Sequence, residues 1–491
     1  MGHVMDTTQQ NKKNIEFYIF AVLVFLASFL GWMHNVNVYF FALLIVWLSS
    51  VYYGVKDYEK HPLLLMFLFA FYTLLMGREF LYQYGEMDVS KFTDSQISGA
   101  CIEETISLLA VVASYWIFTW VQTLVDSEGP PKEIMTDKKR DSLHTVSKHL
   151  LYLFAIGAIG YEILYSRYVR SVGYAGSYIG DFYHRNAAIY LLKKCEDMLS
   201  AGFLVYLATM PDKKETKIPF SLYLIYLVLS LGTGHRSEFV LGLFLFAFYY
   251  IFREKVDGKN TWIKKKTRIL CVVCVPLLLG FFYLYNYYRF GSDVNLTEMN
   301  MKTGLKGFFF DQGVTGDLIK YSRQYYETLR SDMLYTFTFA RDGFIAKLFD
   351  IPIYVGNSVD KALHSGMYSH AISYQVLGQW YLNGRGTGSS YIAELFQDFG
   401  YTGIVFGSLI YGYILMKIDN AEKSKSVLSR TLKFVMIPSI LWAPRGLYSG
   451  FISSIISPNT VIPLVFIYLC DRLYRVLILP IIRMDTEHDD L

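Results

Sequence analysis

The sequence predicts an all-α, polytopic integral membrane protein of about twelve spanning helices, with one large external loop of short helices between the ninth and tenth. Three observations predict it. Hydrophobic residues make up 53% of the 491 positions and charged residues only 18%, so a water-soluble fold would have more apolar surface than its interior could hide. Apolar windows long enough to cross a bilayer recur along the chain, and in hydrocarbon a helix satisfies every backbone amide and carbonyl. Lys and Arg collect in alternate connections, the asymmetry that orients a multi-pass chain.

The first window, 17–33, follows a polar stretch, and no small-residue cleavage pattern comes after it, so it is expected to stay as an anchor. A turn of a few residues leads to 37–54. Windows 62–82, 104–125, 150–166, 187–209 and 218–233 come next, and a glycine turn introduces 237–252. The ninth window is 268–286. After the loop come 391–417, 431–447 and 450–470, the second of these interrupted by Pro438. The chain thus divides into nine spans (1–286), an external loop (287–390), and three spans with a tail (391–491).

With the N-terminus cytoplasmic, the same side receives "KDYEK", "PPKEIMTDKKR", "PDKKETK", "REKVDGKNTWIKKKTR", "DNAEKSKSVLSR" and the C-terminal tail. Together with the N-terminal tail these hold more than half of the 46 Lys and Arg, so both termini are expected in the cytoplasm. The net charge of +4 follows from that bias and calls for no nucleic-acid partner. Cys271 and Cys274 have C-x-x-C spacing without a second ligand pair, so neither a metal nor a cofactor is expected. There is no internal repeat and no matched pair of broken helices, which argues against an ordinary secondary transporter.

Segment 287–390 has an ordered composition: "YSRQYYETLRSDMLYTFTFARDGFIAKLF" spaces its apolar residues helically, which predicts short helices lying over the membrane face. Long connections in compact proteins are usually functional. Most of the 41 Tyr and 37 Phe suit an interfacial belt. Tyr374, Trp380 and Tyr381 are candidates for stacking on sugar rings, whose apolar faces match an aromatic plane.

The stretch "SLGTGHRSEFVLGLF" sets Gly232 and Gly234 at a sharp reversal and Arg236 in the first turn of the returning helix. There the helix dipole adds to the guanidinium charge, and both favour an anion. Arg78, Arg289 and Arg445 stand at other span ends, and Arg341 and Arg385 lie in the loop; guanidinium groups bind phosphate bidentately. For each arginine, a lipid headgroup contact or an ion pair is the plain alternative. In "LNGRGTGSSYIAELFQDFGYTGIVFGSLIYGYIL", Ser389 or Ser390 would cap a helix whose first turns carry Glu394. That carboxylate would complement the helix dipole or accept a proton.

"TGHRSEFVLGLF" and "GTGSSYIAELFQDFGYTG" resemble the glycine-arginine turn and the glycine/serine-to-glutamate segment of the O-antigen polysaccharide polymerase (Wzy) family. The layout is also similar to that of O-antigen ligases and is GT-C-like. The resemblance implies a bacterial inner-membrane enzyme that joins undecaprenyl-diphosphate-linked oligosaccharides at the outer face, without cofactor or metal, among membrane lipids and with a chain-length co-polymerase as partner. On that reading charge stabilisation falls to Arg236, then to Arg341, Arg289, Arg385 and Arg445, with Arg78 a further substrate-binding residue, sugar contacts to Tyr374 and Trp380, and the general base to Glu394 or His370. The ligases place a histidine where Ser389 stands, leaving His364 and His370 as substitutes. The alternatives are a lipid-linked oligosaccharide flippase, another polyprenyl-linked-sugar glycosyltransferase, for which Glu86 and Asp88 are the carboxylate pair, and a membrane scaffold.

Overall fold

The structure, a computed structural model, describes residues 2–87, 91–126, 137–173, 176–177, 182, 186–234, 236–290, 301–329, 332–341 and 343–480. Helix is the regular structure throughout these residues. Each apolar window contains one or more helices. They are α1 (Gly2–Met33), α2 (Val38–Lys56), α3 (Pro62–Gln83), α4 (Asp94–Asp126), α5 (Asp137–Val172), α6 (Ala187–Ala208), α7 (Lys217–Ser230), α8 (Arg236–Asp257) and α9 (Lys265–Phe290). The loop supplies α10 (Met301–Gln312), α11 (Val314–Gln324), α12 (Thr338–Arg341), α13 (Gly343–Leu348), α14 (Val359–His364), α15 (Tyr368–Leu377) and α16 (Gln379–Leu382). The chain closes with α17 (Tyr391–Asp419), α18 (Val427–Trp442), α19 (Gly450–Ile456) and α20 (Pro458–Leu473).

Local signals place several helix starts. The Asn37 side chain accepts the N–H of Tyr39 at 2.9 Å, and Asn186 accepts that of Ile189 at 2.9 Å. Pro62 and Pro458 occupy first helical positions, where no amide hydrogen is needed.

The expected count of about twelve spans needs correction. Among the described residues, six helices are long and apolar enough to cross a membrane: α2, α3, α4, α5, α9 and α17. Gly450–Ile456 and Pro458–Ile478 make a seventh if they form one span bent by 42°. The shortfall has a cause in the residues: α7 has 14, and α6 carries Lys193, Lys194, Glu196 and Asp197 within two turns. What stands is an all-helical polytopic membrane protein.

The tenth window departs most from expectation. Gly400 sits inside α17 at φ 61° and ψ −150°, a region open essentially to glycine, and the chain reverses there. Tyr391 therefore lies against Tyr411, the rings tilted with centroids 4.9 Å apart, and Leu395 packs on Gly403 and Gly407. Residues 391–399 form a short arm folded back along 401–419, and together they pack against α4, where Gly412 lets the backbones of α17 and α4 approach closely. Ser107 of α4 bonds both Tyr391 (2.6 Å) and Ser408 (2.8 Å).

α3 runs through the centre, with Leu63, Leu64, Phe67, Leu68 and Phe71 fully enclosed. Its first amides are met by Asp419, which accepts from Leu63 N–H at 2.8 Å, from Leu64 N–H at 3.3 Å and from Tyr115 O–H at 2.8 Å. Tyr115 in turn contacts His61 Nδ1 at 2.8 Å. Burial holds the His61 imidazole down to a pKa of about 4.

Charge pairs carry α11 into the bundle beside α3 and α4. Arg78 donates to Asp317 at 2.5 Å, Lys320 to Glu79 at 2.5 Å, and Arg323 to the buried Glu103. The expectation of short helices lying over the membrane face is thus modified: α11 is wedged between helices, with Asp317 and Lys320 only 6% and 5% exposed.

Candidate functional site

A cavity of about 260 Å³ lies among α3, α8, α9, α10 and α18. Two features of the sequence build it. The middle of α3, Tyr72–Met76, is a π-turn whose Thr73 and Leu74 line the cavity; such turns inside α-helices are frequent at functional sites. The other is the glycine turn: Gly234 takes φ 87°, as expected for a reversal, and delivers Arg236 to the start of α8. Arg236 lines the cavity and donates to the Phe282 carbonyl at 3.3 Å.

The remaining wall is almost wholly apolar, including Phe69, Leu241, Phe244, Leu278 and Trp442. Its polar residues besides Arg236 are Thr73, Ser237 and Gln312. Thr73 Oγ1 and Gln312 Nε2 are enclosed and have no hydrogen-bond partner among the described residues, although buried polar atoms normally do. The arrangement suits a long apolar chain ending in an anionic group.

Beside this cavity stands a polar cluster at the folded-back arm. Glu394 is 0% exposed; Ser389 O–H donates to its Oε1 at 2.5 Å and Tyr448 N–H to its Oε2 at 2.8 Å. Ser390 occupies the capping position of α17 but makes no capping bond, so the expected cap is absent and Ser389 serves Glu394 instead. Gly388 adjoins the Arg445 carbonyl, and the Arg445 guanidinium lies 5.8 Å from the ring centre of Trp442, a cavity wall residue. The Gly/Ser segment, Glu394, Arg445 and the Arg236 cavity are therefore neighbours.

A third group lies on the loop helices. His370 Nδ1 contacts the Tyr381 hydroxyl at 3.0 Å, and the Tyr374 ring lies 5.9 Å from that of Tyr381. Trp380 is 56% exposed, with Arg385 stacked over it at 4.2 Å. Ser373 ties this group to the Gly/Ser segment through Thr387, accepting its N–H at 2.9 Å. Tyr381 itself is 1% exposed, so its ring face is packed and not offered for stacking; its hydroxyl bonds His370 instead. Arg341 packs on Gly366, near the Asp398 carboxylate that accepts Tyr335 N–H at 3.0 Å and Thr336 N–H at 2.7 Å.

Arg78 is engaged by Asp317 and by the Phe310 carbonyl at 3.0 Å, which fits the ion-pair alternative. Arg289 belongs to α9, but its side chain lies outside the described residues, as does Asp88 of the alternative carboxylate pair. Thr73 and Gln312 were not legible as site residues. A threonine inside a span and a glutamine after an aromatic run carry no signal until a π-turn and a helix contact bring them together.

The sequence profile of the O-antigen polysaccharide polymerase Wzy family matches residues 14–475 of the chain. No curated protein and no solved structure matches it.

Proposed function

The chain belongs to the O-antigen polysaccharide polymerase Wzy family, and from that we propose that it joins undecaprenyl-diphosphate-linked repeat units into a surface polysaccharide at the outer face of the bacterial inner membrane. The observation that carries the site assignment is Arg236 on an apolar cavity. The lipid tail of a carrier suits the apolar wall, and its diphosphate suits the guanidinium and the unpartnered Thr73 and Gln312.

In the reaction a hydroxyl of the acceptor repeat unit attacks the anomeric carbon of the donor glycan. The new glycosidic bond forms as the bond to the carrier diphosphate breaks, and the hydroxyl proton passes to a base. Charge grows on the departing diphosphate, and preorganised Arg236, then Arg445 and Arg341, stabilise it. Arg385 and Trp380, exposed on the loop, contact the glycan with Tyr374. Arg289, at the end of α9, keeps its place in the assignment, and Arg78 holds α11.

His370 is the better base of the two candidates. It is half-buried and oriented by Tyr381, whereas both oxygens of Glu394 already accept bonds from Ser389 and Tyr448. Glu394 is a positioning residue that holds the Gly/Ser segment against the Arg445 turn. The termini are cytoplasmic, and a chain-length co-polymerase is the expected partner.

Deleting the gene should convert a surface-polysaccharide ladder on a gel to a single capped repeat. Loss of all polysaccharide, capped unit included, would instead indicate a flippase.

A further inference from the structure

Three helices bring three carboxylates together outside the cavity. Glu162 of α5, Glu196 of α6 and Glu238 of α8 each offer an oxygen within 4.8 Å of the other two. Glu162 and Glu196 are only 3% and 7% exposed, and Glu238 is open to the surroundings. Lys193 pairs with Glu196 at 2.8 Å, and Tyr226 O–H donates to its other oxygen at 2.9 Å. One ammonium therefore faces three acids.

Glu162 adds an independent observation. Its Oε2 is enclosed and has no hydrogen-bond partner among the described residues. A buried carboxylate oxygen without a donor is costly, and buried charges are normally paired or bound to a cation. Lys193 is committed to Glu196, so the missing partner is not supplied from within the cluster.

We propose that Glu162, Glu196 and Glu238 hold a hard divalent cation, with calcium the best fit. Oxygens no more than 4.8 Å apart can share one hard cation, and three protein carboxylates suit calcium, which takes about six to eight oxygen ligands, better than magnesium, which keeps several waters and is usually held by one or two carboxylates. Oxygen-only donors select this class of ion over zinc or copper. Glu238 lies two residues after Arg236 on the same first turn of α8. The cation therefore clamps the start of α8 to α5 and α6 and fixes the direction in which Arg236 is presented. Its remaining coordination positions face the exposed Glu238 side. This assignment does not depend on the polymerase reading.

The test uses the purified full-length protein in detergent, stripped with chelator and then titrated with calcium, magnesium or manganese while thermal unfolding is followed. Terbium, whose luminescence the adjacent Tyr226 and Tyr161 would sensitise, serves as a direct probe displaced by calcium. Saturable binding of one ion is expected, with calcium tighter than magnesium and Glu162→Gln weakening it roughly tenfold or more. Without calcium, Glu162→Gln should unfold at a higher temperature than the parent because one unpaired acid is gone; with calcium the order should reverse. No stabilisation of the parent by any of the three ions, or an equal response in parent and variant, overturns the site; magnesium matching calcium overturns the choice of ion. If Glu162→Gln fails to fold, the exposed Glu238→Gln carries the same comparison.

Discussion

The rings of Tyr391 and Tyr411 lie against each other, tilted, with centres 4.9 Å apart. Twenty positions of straight helix would separate them by about 30 Å. The contact exists because Gly400, at φ 61° and ψ −150°, turns the chain back on itself. Gly400→Ala should cost about 1–3 kcal/mol of stability or unfold the arm. Thermal unfolding checks this, together with a surface-polysaccharide ladder that should shorten or vanish. Unchanged values on both would reject the reversal.

Arg236→Ala should lower polymer formation by roughly 10²- to 10³-fold at normal membrane abundance, the usual loss when a charge-stabilising donor is removed. Arg236→Lys should recover only part of it, because an ammonium lacks the bidentate geometry. Gel analysis of polysaccharide with immunoblotting for the protein separates the two effects. A normal ladder in the alanine variant would remove Arg236 from the site.

The two base candidates give opposite patterns. Glu394→Gln keeps one acceptor for Ser389 or Tyr448 and should retain much of the activity, whereas Glu394→Ala leaves buried donors unmatched at about 1–3 kcal/mol each and should unfold more easily. His370→Ala should lose roughly 10²- to 10⁴-fold in rate with stability preserved. A Glu394→Gln variant that folds but is as inactive as His370→Ala would return the base to Glu394.

Lys320→Met breaks a buried pair and leaves Glu79 and Asp317 facing each other. A destabilisation of about 3–5 kcal/mol is expected, and Arg78, still bonded to Asp317, limits it. Denaturant or thermal unfolding of the detergent-solubilised protein reads it directly.

Acidification should weaken the N-terminal end of α3. His61 takes up its proton near the ordinary value of 6.5 when unfolded but only at about 4 when folded, because burial disfavours the charged ring. The stabilisation is complete above about 6.5 and is lost as pH falls from there toward 4. His61→Gln should flatten that slope; an unchanged slope would place the titration elsewhere.

Much of this was legible in the sequence, and the misses have physical causes. The helical membrane character followed from composition, and the glycine turn at Arg236 followed from two glycines between apolar runs. The reversal at Gly400 did not, since "QDFGYTG" reads equally well as a continuing amphipathic helix until a backbone angle decides it. The span count fell short where α7 stops at 14 residues and where α6 carries four charges that pair along the helix itself, Lys193 with Glu196 and Lys194 with Asp197. The neighbourhood of Arg445, Gly388 and Glu394 depends on three separate turns meeting, which no spacing within one segment records.

The ion pairs of α11 bear on how such proteins can be recombined. Glu79 and Glu103 reside in the bundle, while Lys320 and Arg323 arrive from the loop. A chimera that transplants 301–390 alone from a homologue of different sugar preference would strand two acids among apolar helices. Carrying both acids along with the graft, as matched donor–recipient sets, is the condition for such hybrids to fold.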